Sequence, residues 1–322
     1  MKDKIEIFVA GFFLFFFLGL GFNTMNDKLE NFFYWQEIAQ NPRLLAAQIN
    51  QRNFEARVND LKPFPKKESE PLFLAAESAS SVFFDKNGGN KVLFEKNSQK
   101  ALPIASLTKL IGAQVVLDNY SMEQVVTVSK EAATIPGNGA GKLKSGDRFK
   151  VEDLFKVMMV ESNNGAALAL VQAIGEDNFV SLMNQKAEAL GLKKTYFANP
   201  TGLDVRNGTE GNKSTAQELT RIGQSILFEE PIVMEAMAIK EFDLFNINGV
   251  LNHHAVNTNE LLGDPLVMAG KTGETPKSGG CLLLISQAPK NKGHIISVVL
   301  NSPDRFTEMR KLLDWVRESY QW

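Results

Sequence analysis

Ser106 and Lys109 stand three residues apart in the string Ser106-Leu107-Thr108-Lys109. Residues at i and i+3 share one face of a helix, so this spacing brings a hydroxyl and an amine together. A serine hydroxyl is a weak nucleophile near neutral pH and needs a base within hydrogen-bond reach. A lysine serves as that base only as the neutral amine, and burial and a nearby like charge both push its pKa down. Lys271, in Lys271-Thr272-Gly273, supplies such a charge if the fold brings it close. A third string, Ser162-Asn163-Asn164, lies between the two. There Ser162 can relay a proton to a leaving group, and Asn164 can orient a substrate amide and the lysine. Lys271 and Thr272 suit a terminal carboxylate, bound by charge-assisted hydrogen bonds. Gly273 leaves room for substrate backbone to lie alongside as an added strand. Each string alone is common; the three in this order describe acyl transfer through a serine ester. The N–H of Ser106, at a helix N-terminus, and one N–H from the strand of Lys271 would hold the oxyanion.

Positioning these groups takes a helix, a turn and a strand, and the sequence offers all three. Pro103 precedes a helical stretch from about Ser106 to Asp118, in which Leu107, Leu110, Ile111, Gln114 and Leu117 recur at a spacing that buries one face. Val151 to Val160 and Ala166 to Ile174 predict two helices flanking the second string, with Gly175 as a stop. Thr215 followed by Glu218 resembles a capping box. Strand character comes first from Ser81 to Phe84 and Lys91 to Glu95, around the turn-forming Asn87-Gly88-Gly89. It returns at Leu266 to Gly270, Cys281 to Ser286 and Ile295 to Leu300, with Gly279-Gly280 at a hairpin turn, before a closing helix from about Asp304 to Tyr320. Residues 118–260 read mainly as helices and loops. The expected fold is therefore α+β, with an antiparallel sheet built from both chain ends and a mostly helical second lobe.

The chain of 322 residues, 44% hydrophobic and 22% charged, is long enough for a large core. A net charge of −2 carries no general basic footprint for nucleic acid. The single cysteine, Cys281, forms no internal disulfide and reads as a buried strand residue. Of the three histidines, His253 and His254 are neighbours, which in a strand face opposite ways, so no metal site is expected. At the other end Ile7 to Phe22 is an almost unbroken apolar run behind Lys2 and Lys4. As a helix it would span about 24 Å, slightly short of a bilayer core. A cleavage site should carry small residues, and Gly19-Leu20-Gly21 before Phe22 is a poor match, which favours an uncleaved anchor. The lysines would keep the first residues cytoplasmic and the rest of the chain outside. The expected organisation is residues 1–23 as a membrane anchor or signal segment, 24–75 as a membrane-proximal stalk and linker, and 76–322 as the catalytic domain. Phe32, Phe33, Tyr34 and Trp35 are candidate interfacial anchors, and Pro63, Pro65 and Lys66-Lys67-Glu68 mark the linker.

From Ser78 to Trp315 the chain resembles the low-molecular-mass penicillin-binding proteins, the serine D-Ala-D-Ala carboxypeptidases of the peptidase S11 type. The resemblance rests on Leu102-Pro103-Ile104-Ala105-Ser106-Leu107-Thr108-Lys109, Ser162-Asn163-Asn164, Asn199-Pro200-Thr201-Gly202-Leu203 and Ser214-Thr215-Ala216 with Glu218-Leu219. It continues through Asn257-Thr258-Asn259, Lys271-Thr272-Gly273-Glu274-Thr275 and Gly280-Cys281-Leu282. It implies the serine β-lactamase/transpeptidase-like fold, a peptidoglycan stem peptide as substrate, β-lactams as covalent inhibitors and no cofactor. It assigns the strand's oxyanion N–H to Glu274 or Thr275, and it places Arg305 near the substrate carboxylate. Better-known members carry a second β-rich domain and a C-terminal amphipathic anchor, whereas here the apolar run at the N-terminus would take the anchor's place. Rival readings are a D,D-endopeptidase using the same residues and an inactive membrane-tethered wall-binding protein. A class A β-lactamase needs a further deacylating glutamate in a Glu-x-x-Leu-Asn-like loop, and none occurs between Ser162 and Lys271.

Overall fold

The computed structural model describes residues 63–139, 143–205 and 210–322. The apolar run Ile7–Phe22 and the aromatic cluster at 32–35 lie outside the described residues.

Five strands form the central antiparallel sheet: β1 (Ser78–Asp85), β2 (Asn90–Lys96), β3 (Val267–Thr275), β4 (Gly279–Gln287) and β5 (Gly293–Ser302), in the order β3-β4-β5-β1-β2. The early hairpin and the late strands join where β1 pairs with β5, Ser81 opposite Ser297. The β1–β2 turn is closed by Asp85, whose Oδ1 accepts from the N–H groups of Asn87 (2.8 Å) and Gly89 (2.9 Å). Gly88 takes φ +80°, open to glycine without strain.

Both faces of the sheet are covered, and strand periodicity divides its residues between them. Cys281, Leu283 and Ile285 of β4 point into the larger core, with α1 (Lys109–Asn119), α2 (Val151–Val160), α3 (Asn164–Val171) and α4 (Ala216–Glu229). Leu282 and Leu284 point the other way, onto Met309, Leu312, Leu313 and Val316 of α5 (Arg305–Ser319). Burial raises the Cys281 thiol to about 11, so it is an inert packing group. Caps follow from sequence: Thr215 accepts from the Glu218 N–H at 3.0 Å, and Asp304 accepts from the Thr307 N–H at 3.0 Å.

Three expectations are revised. The helix after Ser106 was expected to bury one face; instead α1 is buried on every side from Lys109 to Val116, because it runs inside the helical lobe, packed against α2, α3 and the helices Glu176–Ala189 and Pro231–Ala238. Two-stranded ribbons occur inside the stretch read as helices and loops, Val125–Thr127 with Arg148–Lys150 and Glu241–Phe245 with Leu251–Val256. The second hides from a pattern search because Leu244 and Ala255 are its buried residues and Phe242 is half-buried, while Phe245, Leu251 and Val256 are exposed. Residues 63–75, read as the end of a linker, belong to the same compact unit as the sheet. Phe64–Pro65 pairs with Tyr320–Gln321, and the Trp315 indole donates to the Glu70 carbonyl at 2.6 Å. Among the described residues no helix is long and apolar enough to cross a membrane.

Candidate active site

Ser106 lies in a single 3-10 turn, Ala105–Thr108, directly ahead of α1. The turn is forced. Ala105 sits at φ +46°, an unfavourable region for a residue with a side chain, and such outliers persist only where the surroundings hold them. Two glycines do the holding. Gly202 (φ +85°) lies so close beneath that a Cβ on it would run into the Ala105 carbonyl. Gly273 of β3 lies on another side, where a Cβ would stand 2.9 Å from Ser106 N and 3.0 Å from Ile104 O. The sequence reading assigned Gly273 to substrate approach; its missing side chain instead lets the nucleophile's turn rest on the strand.

Lys109, 0% exposed, places Nζ 2.8 Å from Ser106 Oγ. The same nitrogen donates to Asn164 Oδ1 at 2.6 Å and to the Thr201 carbonyl at 2.7 Å. A neutral amine has two N–H bonds and one lone pair. As a neutral amine with both N–H bonds given to these acceptors, Lys109 would turn its lone pair to the serine hydroxyl. Burial first, and the Lys271 ammonium second, hold Lys109 well below the usual lysine range. Both acceptors are themselves fixed. Asn164 Nδ2 donates to the Pro136 carbonyl at 2.7 Å, which turns Oδ1 toward the lysine. Asn199 Oδ1 accepts from Thr201 N (3.1 Å), Thr201 Oγ1 (3.0 Å) and Gly202 N (2.8 Å), an Asx turn that aims the Thr201 carbonyl. Asn212 Nδ2 ties that turn to the nucleophile's segment, donating to Asn199 O and Thr108 Oγ1, each at 2.8 Å. The roles of Thr201, Gly202 and Asn212 were missed from sequence. A backbone carbonyl acts regardless of residue type, and the only available signal was the turn-forming Asn199-Pro200-Thr201-Gly202.

Ser162 stands at φ +60° between α2 and Asn163, half-buried, while Asn163 caps α3 by accepting from Ala166 N at 2.9 Å. The preceding Glu161 is held by His253, with Nε2 to Oε2 at 3.0 Å. Adjacent His254 faces Asp243 instead, at 2.8 Å. Among the described residues no three histidine, cysteine or acidic side chains gather where a metal could bind.

Strand β3 is the edge of the sheet, and Lys271 projects from it on the same face as Gly273. Lys271 is 1% exposed, and among the described residues its Nζ donates a single long bond, 3.2 Å, to the Thr272 carbonyl. Burial, followed by the Arg305 guanidinium, lowers Lys271 to about 7. Thr272 Oγ1 meets Thr258 Oγ1 at 2.5 Å. Sequence left two sources for the strand's oxyanion N–H, and the register separates them. The Thr275 N–H turns inward to the hairpin and donates to Ser278 Oγ at 2.9 Å. N–H groups alternate sides along a strand, so that of Glu274 points to the open edge. The Thr275 hydroxyl is also engaged, with Asp204 Oδ1 at 2.8 Å. Arg305, the first residue of α5, forms an ion pair with the Glu274 carboxylate. Ser106, Lys109 and Asn164 are thus one bonded cluster, with Gly273 against it and Lys271 acting on it electrostatically. The Thr275 N–H is turned away from the open edge.

A buried amine beside a serine on a strained turn, with a cationic strand edge next to it, is the arrangement of a serine acyl-transfer site. The sequence profile of Peptidase S11, described as D-alanyl-D-alanine carboxypeptidase, matches residues 65–304, and the chain belongs to that family. It is 32% identical over 259 residues to the D-alanyl-D-alanine carboxypeptidase DacF of Bacillus subtilis, covering 77% of this chain and 64% of that protein. It is 30% identical over 248 residues to a D-alanyl-D-alanine endopeptidase of Pseudomonas aeruginosa, covering 76% of this chain and 77% of the relative. Among solved structures, penicillin-binding protein D2 of Listeria monocytogenes in its ampicillin-bound form superposes with a TM-score of 0.63 at 29% identity, covering 76% of this chain and 99% of that one. The chain therefore spans less than two thirds of the length of the Bacillus carboxypeptidase.

Proposed function

We propose that the protein is a serine D-Ala-D-Ala carboxypeptidase that removes the terminal D-Ala from peptidoglycan stem peptides. The observation that carries this reading is the Lys109 amine, 2.8 Å from Ser106 Oγ with both its N–H bonds directed to other acceptors. Ser106 Oγ attacks the carbonyl carbon of the penultimate D-Ala while its proton passes to Lys109 Nζ. The oxyanion is received by the N–H groups of Ser106 and Glu274. Ser162, next to Asn164, relays the proton from Lys109 to the departing amine nitrogen as the C–N bond breaks, which returns Lys109 to the neutral amine. Lys271, Thr272 and Arg305 hold the carboxylate of the leaving D-Ala. Water then attacks the ester, Lys109 takes its proton and delivers it to Ser106 Oγ as the C–O bond breaks.

The ampicillin-bound Listeria relative supports a matching inference that β-lactams acylate Ser106. The Ile7–Phe22 run supports anchorage in the cell membrane with the catalytic domain outside; extraction by alkaline carbonate without detergent would refute anchorage. The decisive assay is mass spectrometry of a stem pentapeptide after incubation with the protein. Loss of one alanine is the expected result. An endopeptidase is the second reading, because the chain spans more of the Pseudomonas endopeptidase than of the Bacillus carboxypeptidase. Cleavage of cross-linked dimers with the pentapeptide left intact would select it.

A further inference from the structure

Arg305 is mostly enclosed, its side chain 18% exposed, whereas the Glu274 carboxylate that answers it is 65% exposed. The guanidinium lies over the Phe306 ring, 4.8 Å from the centroid, and its backbone is pressed against Gly280, where a Cβ would come within 3.2 Å of Arg305 Cβ. The cation is thus fixed by packing, and its partner is the mobile member of the pair. Arg305 Nε is buried with no hydrogen-bond partner, so Glu274 satisfies the guanidinium only in part.

Strand geometry says what else belongs there. Residues two apart on a strand share a face about 7 Å apart. Thr272 therefore lies on the face of Glu274, and Arg305, bound to Glu274, lies over that face too. Lys271 belongs to the opposite face but is close enough to Arg305 for the two cations to repel. Two cations and a hydroxyl gather at the edge of β3; the carboxylate paired with Arg305 is that of the exposed Glu274, while Asp204 is engaged further along by the Thr275 hydroxyl.

We propose that Glu274 is a specificity-determining residue whose carboxylate occupies Arg305 in the free protein and is displaced by the terminal carboxylate of the substrate. This rests on the carboxypeptidase reading and extends it. Glu274 thereby has two separate functions: its backbone N–H serves the oxyanion, and its side chain competes with the leaving group's carboxylate. Neutral or amidated peptide ends, which cannot displace it, gain nothing from Arg305.

The test uses the full-length protein and two peptides, one ending in free D-Ala-D-Ala and one with the same C-terminus amidated. Glu274→Gln keeps the backbone N–H and the side-chain shape but removes the charge. It should raise the ratio of kcat/KM for the free acid to that for the amide about two- to fivefold, through KM for the free acid, the range of a solvent-screened ion pair. Arg305→Gln should lower the free-acid to amide ratio, and Glu274→Gln added to it should have no further effect. An unchanged ratio in Glu274→Gln would overturn the proposal. So would a fall in that ratio, which would make Glu274 a prop for Arg305 rather than its competitor. If the unaltered protein released nothing from either peptide and took no penicillin label, the carboxypeptidase reading itself would fail, and this one with it.

Discussion

The two lysines of the site are both buried, yet their surroundings differ in kind. Lys109 is enclosed by neutral oxygens, those of Ser106, Asn164 and Thr201, the last two aimed by further hydrogen bonds. Lys271 has a single long backbone bond and a guanidinium for a neighbour. The first environment suits an uncharged amine with a directed lone pair. The second suits an ammonium ion that waits for a carboxylate. On the proposed reading, the same side chain is fitted to be base or anion holder by the groups that surround its nitrogen.

The contrast can be broken most severely at its helix side. Ser106→Ala should abolish covalent labelling by a fluorescent penicillin, read on a denaturing gel, and undiminished labelling would remove Ser106 from its role. Lys109→Met should slow acylation by about 10³- to 10⁴-fold, the upper part of the range for a general base, in stopped-flow measurements. Because it orphans Asn164 Oδ1 and the Thr201 carbonyl, its melting temperature should also fall. At the strand side Lys271→Gln should leave labelling detectable. It should raise KM for a free-acid peptide about ten- to a hundredfold, the worth of one charge-assisted hydrogen bond. If Lys271→Gln changed kcat alone, its assignment as the anion holder would be wrong.

Smaller effects sharpen the comparison. Gly202→Ala should destabilise the fold by about 2 kcal/mol, seen as a lower melting temperature, and slow acylation by displacing the Ala105–Ser106 turn. The pH dependence has a defined sign. Lys271 titrates at about 7 in the folded protein against 10.5 for an ordinary lysine. The folded state therefore binds fewer protons than the unfolded chain between those values, and stability should rise with pH through that window. The contribution of Lys271 is fully present above 10.5 and is lost as pH falls toward 7; thermal melts of Lys271→Met should show a flatter profile. Catalysis should respond oppositely. Free-acid peptides should lose kcat/KM as pH rises past about 7 and the Lys271 ammonium is depleted, while amidated peptides should not.

Much of the site was legible because its chemistry depends on side-chain type. Ser106, Lys109, Asn164 and Lys271 announce themselves through order and local context, and the two groups of strands predict a sheet closed by both ends of the chain. What escaped depends on backbone and packing. The Thr201 carbonyl has no type to read. Gly273 was found for the wrong reason, since only the assembled fold shows the Ser106 turn against it. Choosing between the Glu274 and Thr275 amides requires knowing which side of the hairpin each faces. The enclosure of α1 on all sides was hidden because its neighbours come from both halves of the chain.

The joining of β1 to β5 pairs segments more than 200 residues apart. Closing so long a span is entropically unfavourable and comes late, which places this topology among slow folders. A chain emerging N-terminus first displays Ser106 and Lys109 well before Lys271 and the edge strand exist. On the proposed reading, the serine would stay inert during biosynthesis, and its acyl-transfer chemistry would begin only when the last strands of the sheet dock.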